Sequence, residues 1–231
     1  MISFPKLAWI ASHPNSAIKE FKTAWGLNKA NLTFSEIPWF DENDLNAIEK
    51  ILSPKHSVIE YGAGSSTLYF ARYARKVNSV DSSRRYVAGV ISEAARRELT
   101  NINLSVADIG VIRDWGWPID HYPTKRNLRK WAKYVAAPWA DVGNASVGLV
   151  VIDGRFRVAA TAYSIACLLE RGEEDAVIFL DDFVGREDEY GILREIADLV
   201  TTGGRGVIVK PLITDSIKAR EFSQSWIHIV G

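Results

Sequence analysis

Residue types that could do chemistry gather in this chain where short apolar runs end. The first group is Val58-Ile59-Glu60-Tyr61-Gly62-Ala63-Gly64-Ser65-Ser66-Thr67, read as a strand, a glycine-rich turn and a helix beginning near Ser66. Glycines let the backbone turn sharply and let a ligand come close. A helix start leaves N–H groups for polar ligand atoms. Gly62, Ala63, Gly64 and Ser66 are therefore candidate ligand contacts. A carboxylate at Glu60 would repel a pyrophosphate but suits a ligand with an ammonium group. Thr67 stands where the dinucleotide fingerprint has its third glycine, which counts against NAD. Asp81 ends the next apolar run, 21 residues after Glu60, where an acid is placed to take ribose hydroxyls. Asp108 ends the third run, where it could meet an adenine edge.

Glu60-Tyr-Gly-Ala-Gly, Asp81, Asp108 and Asp153, each at a strand end, resemble the class I S-adenosylmethionine-dependent methyltransferases over about residues 57–231. The resemblance implies a seven-stranded sheet whose last strand is antiparallel. It implies S-adenosyl-L-methionine as cofactor. Glu60 and the 62–64 turn would hold its methionine part, Asp81 its ribose, and Asp108 its adenine side.

Ile152-Asp153-Gly154-Arg155-Phe156 and Leu180-Asp181-Asp182-Phe183 form a second constellation. Strands four and five are adjacent in this fold, so their acids share one sheet edge. Clustered carboxylates repel unless a cation or a proton intervenes. Mg²⁺ is the candidate cation, with Asp153, Asp181 and Asp182 as ligands, and it would lower the pKa of an acceptor hydroxyl. This resembles the metal-dependent small-molecule O-methyltransferases, which carry an acid after strand four and an Asp-Asn pair after strand five. The catechol type has a lysine as base three residues after the first acid, and here Phe156 stands there. The opposing reading has Asp153 on the cofactor, Asp181 paired with Arg155, and Asp182 capping a turn.

Residues 109–146 break the rhythm of the chain and read as an insertion near the acceptor site. Trp115, Trp117 and Tyr122 could line a pocket there or form a small local core. His121 is the one histidine placed to act as a base, and Asp153 is the other catalytic candidate. Lys125–Lys133 puts Arg126, Arg129, Lys130 and Lys133 on one helix face. The favoured reading is a solvated face with Trp131 turned inward, over a nucleic-acid contact. Cys167 falls in the most apolar helix and reads as inert.

These residues need elements to hold them. Short apolar runs occur at Val58–Tyr61, Val77–Val80, Ile102–Val106, Leu149–Ile152, Val177–Leu180, Val207–Val209 and Trp226–Val230, and suit strands. Helical patterns lie between, at Tyr86–Ala95, Phe156–Leu169 and Ile192–Val200, the last stopped by Gly203 and Gly204. The alternation predicts an α/β fold: a Rossmann-like, mostly parallel sheet with helices on both faces. Before it, Ala17, Ile18, Phe21 and Trp25 predict one helix. Leu45, Ile48, Ile51 and Leu52 predict another starting near Asp41 and ending before Pro54. Between them runs an aromatic stretch, Phe34–Phe40. Residues 1–55 thus read as a helical extension packed on a core of residues 56–231.

Length and composition suit one large α/β domain or two small ones. The chain has 231 residues, 47% hydrophobic and 24% charged, which excludes a disordered or coiled-coil protein. Lys+Arg and Asp+Glu are each 28, so no global charge draws nucleic acid or an anionic membrane. One cysteine excludes an intrachain disulfide. Leu7–Ala11 is too short for a signal-peptide core, and no apolar run approaches a bilayer span. A cytoplasmic enzyme acting on a small-molecule acceptor is expected, with no nucleic-acid or membrane partner. Two rivals stand beside it: an NAD-dependent oxidoreductase, and a non-catalytic cofactor-binding module on the same fold.

Overall fold

The computed structural model describes residues 32–173 and 175–231. The helix expected over Ala17–Trp25 lies outside the described residues.

Seven strands form one sheet: β1 Ser57–Tyr61, β2 Lys76–Asp81, β3 Ile102–Val106, β4 Val147–Ile152, β5 Val177–Leu180, β6 Ala197–Thr201 and β7 Val207–Pro211. Their order is β3-β2-β1-β4-β5-β7-β6. The first five pair in parallel. β7 is antiparallel to both β5 and β6, so β6 runs with the first five. The chain reverses strand order between β1 and β4, and in such sheets ligands bind outside the carboxyl ends of the strands there. β1 and β4 are covered on both faces, which explains their nearly continuous apolar sequence.

The helices are α1 Glu42–Glu49, α2 Ser65–Phe70, α3 Arg84–Arg96, α4 Lys125–Ala136, α5 Arg157–Arg171, α6 Glu187–Tyr190 and α7 Ser216–Trp226. Capping follows the sequence. Asp41, Ser83 and Thr124 each accept a backbone N–H from the first turn of α1, α3 and α4. In α3 the buried residues are Val87, Val90 and Ala94, at helical spacing. α5 is buried from Arg157 through Ala162 and again from Ser164 through Leu168, so it forms the centre of one layer. α4 turns Trp131, Tyr134 and Val135 into the same core and leaves Arg126, Arg129 and Lys133 exposed. The aromatic stretch reaches the opposite layer, where Phe40 packs on Phe70 and Phe179.

Two expected elements are corrected. Ile192–Val200 is not a helix. A 3₁₀ turn covers Gly191–Glu195, and the chain then becomes β6. Ile192, Leu193 and Ile196 have helical spacing. Leu199, Val200 and Thr201, however, pair across to Val209, Ile208 and Val207. Gly203, at φ +91°, serves the hairpin turn and not a helix stop. Trp226–Val230 is not a strand. α7 runs through Trp226, and the residues after it cross the start of α5, where Phe156 donates its N–H to the Val230 carbonyl at 2.8 Å. The apolar side chains there seal a helix end, so their run length mimicked a strand.

Asp44 of α1 is fully buried and closes the β6–β7 hairpin. Its carboxylate accepts N–H groups from Arg205 at 2.9 Å and Gly206 at 3.1 Å, and the Thr202 hydroxyl.

Candidate functional site

The site is assembled at the carboxyl ends of β1, β2 and β4. Gly62 sits at φ +93°, and a Cβ there would lie 3.1 Å from the Gly154 Cα. The ends of β1 and β4 thus meet main chain to main chain, which only glycines permit. At Gly64 an added Cβ would meet nothing within 4 Å, so the turn opens onto free space.

Asp81 spans the opening. One carboxylate oxygen accepts the Ala63 N–H at 3.0 Å and the other the Ser83 N–H at 2.6 Å. Burial pushes its pKa up to about 6 against the pull of those two N–H groups. Glu60 lies beneath the turn and is fully buried. It accepts the hydroxyls of Ser66 at 2.6 Å and Thr67 at 2.5 Å. Thr67 in turn accepts the Gly64 N–H at 3.0 Å. Burial raises the Glu60 pKa to about 7 despite these hydroxyls. Glu60 therefore braces the turn through Ser66 and Thr67. The residue in the place of the third glycine is a bonded, buried threonine.

Asp108 stands further out. Its side chain is 62% exposed; it accepts the Gly110 N–H at 2.8 Å and pairs with Lys130 at 2.5 Å. The basic segment thus sends one lysine to this acid and Trp131 into the core.

Asp153, Asp181 and Asp182 converge, with carboxylate oxygens within 4.8 Å of one another. Arg157 of α5, 2% exposed, is the hub of this cluster. It donates to Asp153 Oδ1 at 2.8 Å and to the carbonyls of Asp153, Gly154 and Asp181. Asp182 faces Arg157, Arg186 and Arg205. Burial, then the neighbouring Asp153 charge, holds the Asp181 carboxyl well above the ordinary carboxylate range. Mg²⁺ needs several oxygens free on a tight octahedron. Here three guanidiniums already neutralise the acids, and the residues do not fit that ion. Asp181 makes no ion pair with Arg155; Arg157 holds its backbone. Asp153 is the open member, with its side chain 39% exposed against 13% for Asp182.

His121 is exposed and stacked on Tyr122, and no hydrogen bond or ion pair joins it to Asp153. Trp115 is 78% exposed, while Trp117 is half-buried against the main core. The loop that carries them passes the end of β2, since a Cβ at Gly116 would touch Ser82 Oγ. Cys167 is buried, with its thiol pushed up to about 12 by that burial.

Tyr134 escaped the sequence reading, and Arg155 entered it only as a partner for Asp181. Tyr134 Oη fills the space beside Gly154 and accepts the Arg155 N–H at 3.1 Å. Arg155 itself stacks over Trp117 at 4.8 Å. A glycine flanked by Asp and Arg at a strand end was the available signal for a crowded main chain.

No family model and no curated protein matches the sequence. Solved structures do. A methyltransferase-like protein of Silicibacter pomeroyi is similar with a TM-score of 0.58 at 20% identity, covering 81% of this chain and 96% of that one. SMU.1697c of Streptococcus mutans, in complex with SAH, gives 0.46 at 14%, covering 76% and 99%. An rRNA methylase of Streptococcus thermophilus gives 0.41 at 12%, covering 73% and 93%. The likeness to the first of these shows that the chain has a methyltransferase-like fold. At these identities the likeness concerns the fold. No helix of the described residues is long and apolar enough to cross a membrane.

Proposed function

We propose that this protein transfers a methyl group from S-adenosyl-L-methionine to an oxygen or nitrogen of a small-molecule acceptor, a reaction of the EC 2.1.1 class. The observation that carries the reading is Asp81, whose two oxygens each take one backbone N–H beside the open Gly64 turn. A carboxylate oxygen accepts more than one hydrogen bond, so both keep capacity for ribose hydroxyls. The residues thus fit the cofactor. Gly62, Ala63, Gly64 and Ser66 would lie along its methionine part, Asp81 at its ribose, and Asp108 toward its adenine. Glu60 would act as a positioning residue that fixes Ser66.

The cofactor supplies a methyl group activated by a positive sulfur. The chain supplies placement and a proton acceptor. Asp153 is the carboxylate at the open side of the cluster, and Arg157 fixes its orientation. It would take the proton of an acceptor hydroxyl or amine as the new bond forms. Burial disfavours a charge on Asp181, which spares Asp153 a full second negative neighbour. His121 stands as the alternative base in the loop.

The oxidoreductase reading is disfavoured by Thr67, whose bonded side chain fills the position a dinucleotide fold leaves to glycine. Calorimetry with S-adenosylmethionine, S-adenosylhomocysteine and NAD tests the reading. Micromolar binding of the two adenosyl compounds and none of NAD is expected; NAD binding alone would overturn it. Adenosyl binding without transfer to any small acceptor would leave the non-catalytic module.

A further inference from the structure

The buried guanidinium of Arg157 has the carboxylates of Asp153 and Asp182, while that of Arg155, also buried, has none among the described residues. Arg155 is 7% exposed, and no described carboxylate lies within ion-pair distance of it. Its one side-chain hydrogen bond runs from Nη1 to the Gly231 carbonyl at 3.0 Å. Among the described residues Nε and Nη2 have no partner, and neither is a buried atom sealed from solvent. The ring of Trp117 holds the guanidinium plane at 4.8 Å, and the exposed Arg113 reaches the same ring at 5.7 Å. Asp81 and Asp153 act on the site from beyond contact.

Taking a charge out of water without a partner is costly. A rigid, planar fork with two free N–H groups, placed one residue after the Gly62–Gly154 contact, has the geometry that recognises an oxyanion. We propose that Arg155, seated on Trp117 and assisted by Arg113, binds a carboxylate or phosphate group of the ligand at this site. The inference rests on the methyltransferase reading only for the nature of that ligand. The oxyanion belongs to the amino-acid part of the cofactor or to an acidic acceptor.

Calorimetry on the full chain and on Arg155→Gln distinguishes these. The titrants are S-adenosylhomocysteine, methylthioadenosine (which lacks the amino-acid carboxylate) and inorganic phosphate. If the anion is the cofactor's, Arg155→Gln weakens S-adenosylhomocysteine about tenfold to a hundredfold and leaves methylthioadenosine unchanged. Phosphate then competes with S-adenosylhomocysteine alone. If it is the acceptor's, both nucleosides bind both proteins equally. Phosphate then binds the S-adenosylhomocysteine-saturated parent and not the saturated variant. Equal affinity of parent and variant for S-adenosylhomocysteine and for phosphate overturns the proposal. Should neither nucleoside bind the parent, the cofactor reading fails by itself, and loss of phosphate binding in the variant still reports on Arg155. Should Arg155→Gln fail to fold, Arg113→Gln on the exposed side serves instead: a several-fold loss for the same anion is expected, and no change overturns the proposal.

Discussion

The hydroxyl of Tyr134 occupies the space in which a side chain on Gly154 would have to begin. The same oxygen accepts the Arg155 N–H, so one tyrosine of α4 locks the turn after β4 from two sides. An alanine at 154 would also press on the Gly62 nitrogen and the Tyr61 carbonyl carbon, each 2.9 Å from its Cβ. Gly154→Ala should therefore cost about 1–3 kcal/mol, since main chain cannot give way as a side chain does. Tyr134→Phe should cost about 1–3 kcal/mol by leaving a buried N–H without its acceptor. Urea denaturation of the two variants checks both; parent-like midpoints would refute the lock.

Asp81 links cofactor affinity to pH. Only its ionised form accepts two ribose hydroxyls while keeping the Ala63 and Ser83 N–H groups. With its pKa raised by burial to about 6, affinity for S-adenosylhomocysteine should fall as pH drops through that value. Asp81→Asn should lose about 1–2 kcal/mol of binding at neutral pH and show no such dependence. A pH profile shared by parent and variant would assign the titration elsewhere.

Glu60 links stability to pH in the opposite sense from a salt-bridged acid. Its folded pKa, raised by burial to about 7, lies above the ordinary 4.5. Between those values the folded chain keeps a proton that the unfolded chain has released, so stability falls as pH climbs through the window. The loss is up to about 3 kcal/mol. Asp81 and Asp181 shift in the same direction, so the informative quantity is the difference between proteins. Glu60→Gln should show a shallower decline from about pH 4.5 to 7, read by thermal unfolding at stepped pH; an unchanged slope removes Glu60 from the account.

Arg157 should matter more to folding than any other arginine. Replacing it with Met strands Asp153 and three carbonyls at once, an expected loss of about 3–5 kcal/mol. Since its guanidinium supplies the cation of the cluster, added Mg²⁺ or a chelator should leave the parent's S-adenosylhomocysteine affinity unchanged. A Mg²⁺-dependent tightening that Asp181→Asn abolishes would restore the metal reading.

Asp153→Asn should lower methyl transfer about 100-fold or more while S-adenosylhomocysteine affinity moves only a few-fold. His121→Ala should leave the rate near the parent's. The reverse outcome would move the base to the loop.

Legibility followed periodicity and then failed where contact decided. The strands β1 to β5 were readable because runs such as Val177–Leu180 are short, apolar and bounded. The Gly62 turn, Asp81 and the meeting of Asp153 with Asp181 and Asp182 were readable because strand ends place them. β6 was hidden because Leu193 and Ile196 continue a helical stripe into a segment that pairs as a strand. The apolar tail after Trp226 resembled a strand because run length does not say what a side chain covers. Nothing in the spacing of Arg157 announced that it would stand among three carboxylates. Tyr134 and Arg155 meet across 21 residues of chain, beyond any local pattern.

The bond between Asp44 and the β6–β7 hairpin sets an order of events during synthesis. Asp44 is made early, yet its partners Arg205 and Gly206 lie 161 and 162 residues further along. At about 5–20 residues per second, roughly ten to thirty seconds separate the two on the ribosome. Until then α1 carries a bare carboxylate destined for the interior, and no nascent chain can close that flank of the sheet. The residues of the glycine turn and of the Asp81 shelf are thus all made before the far edge can be sealed.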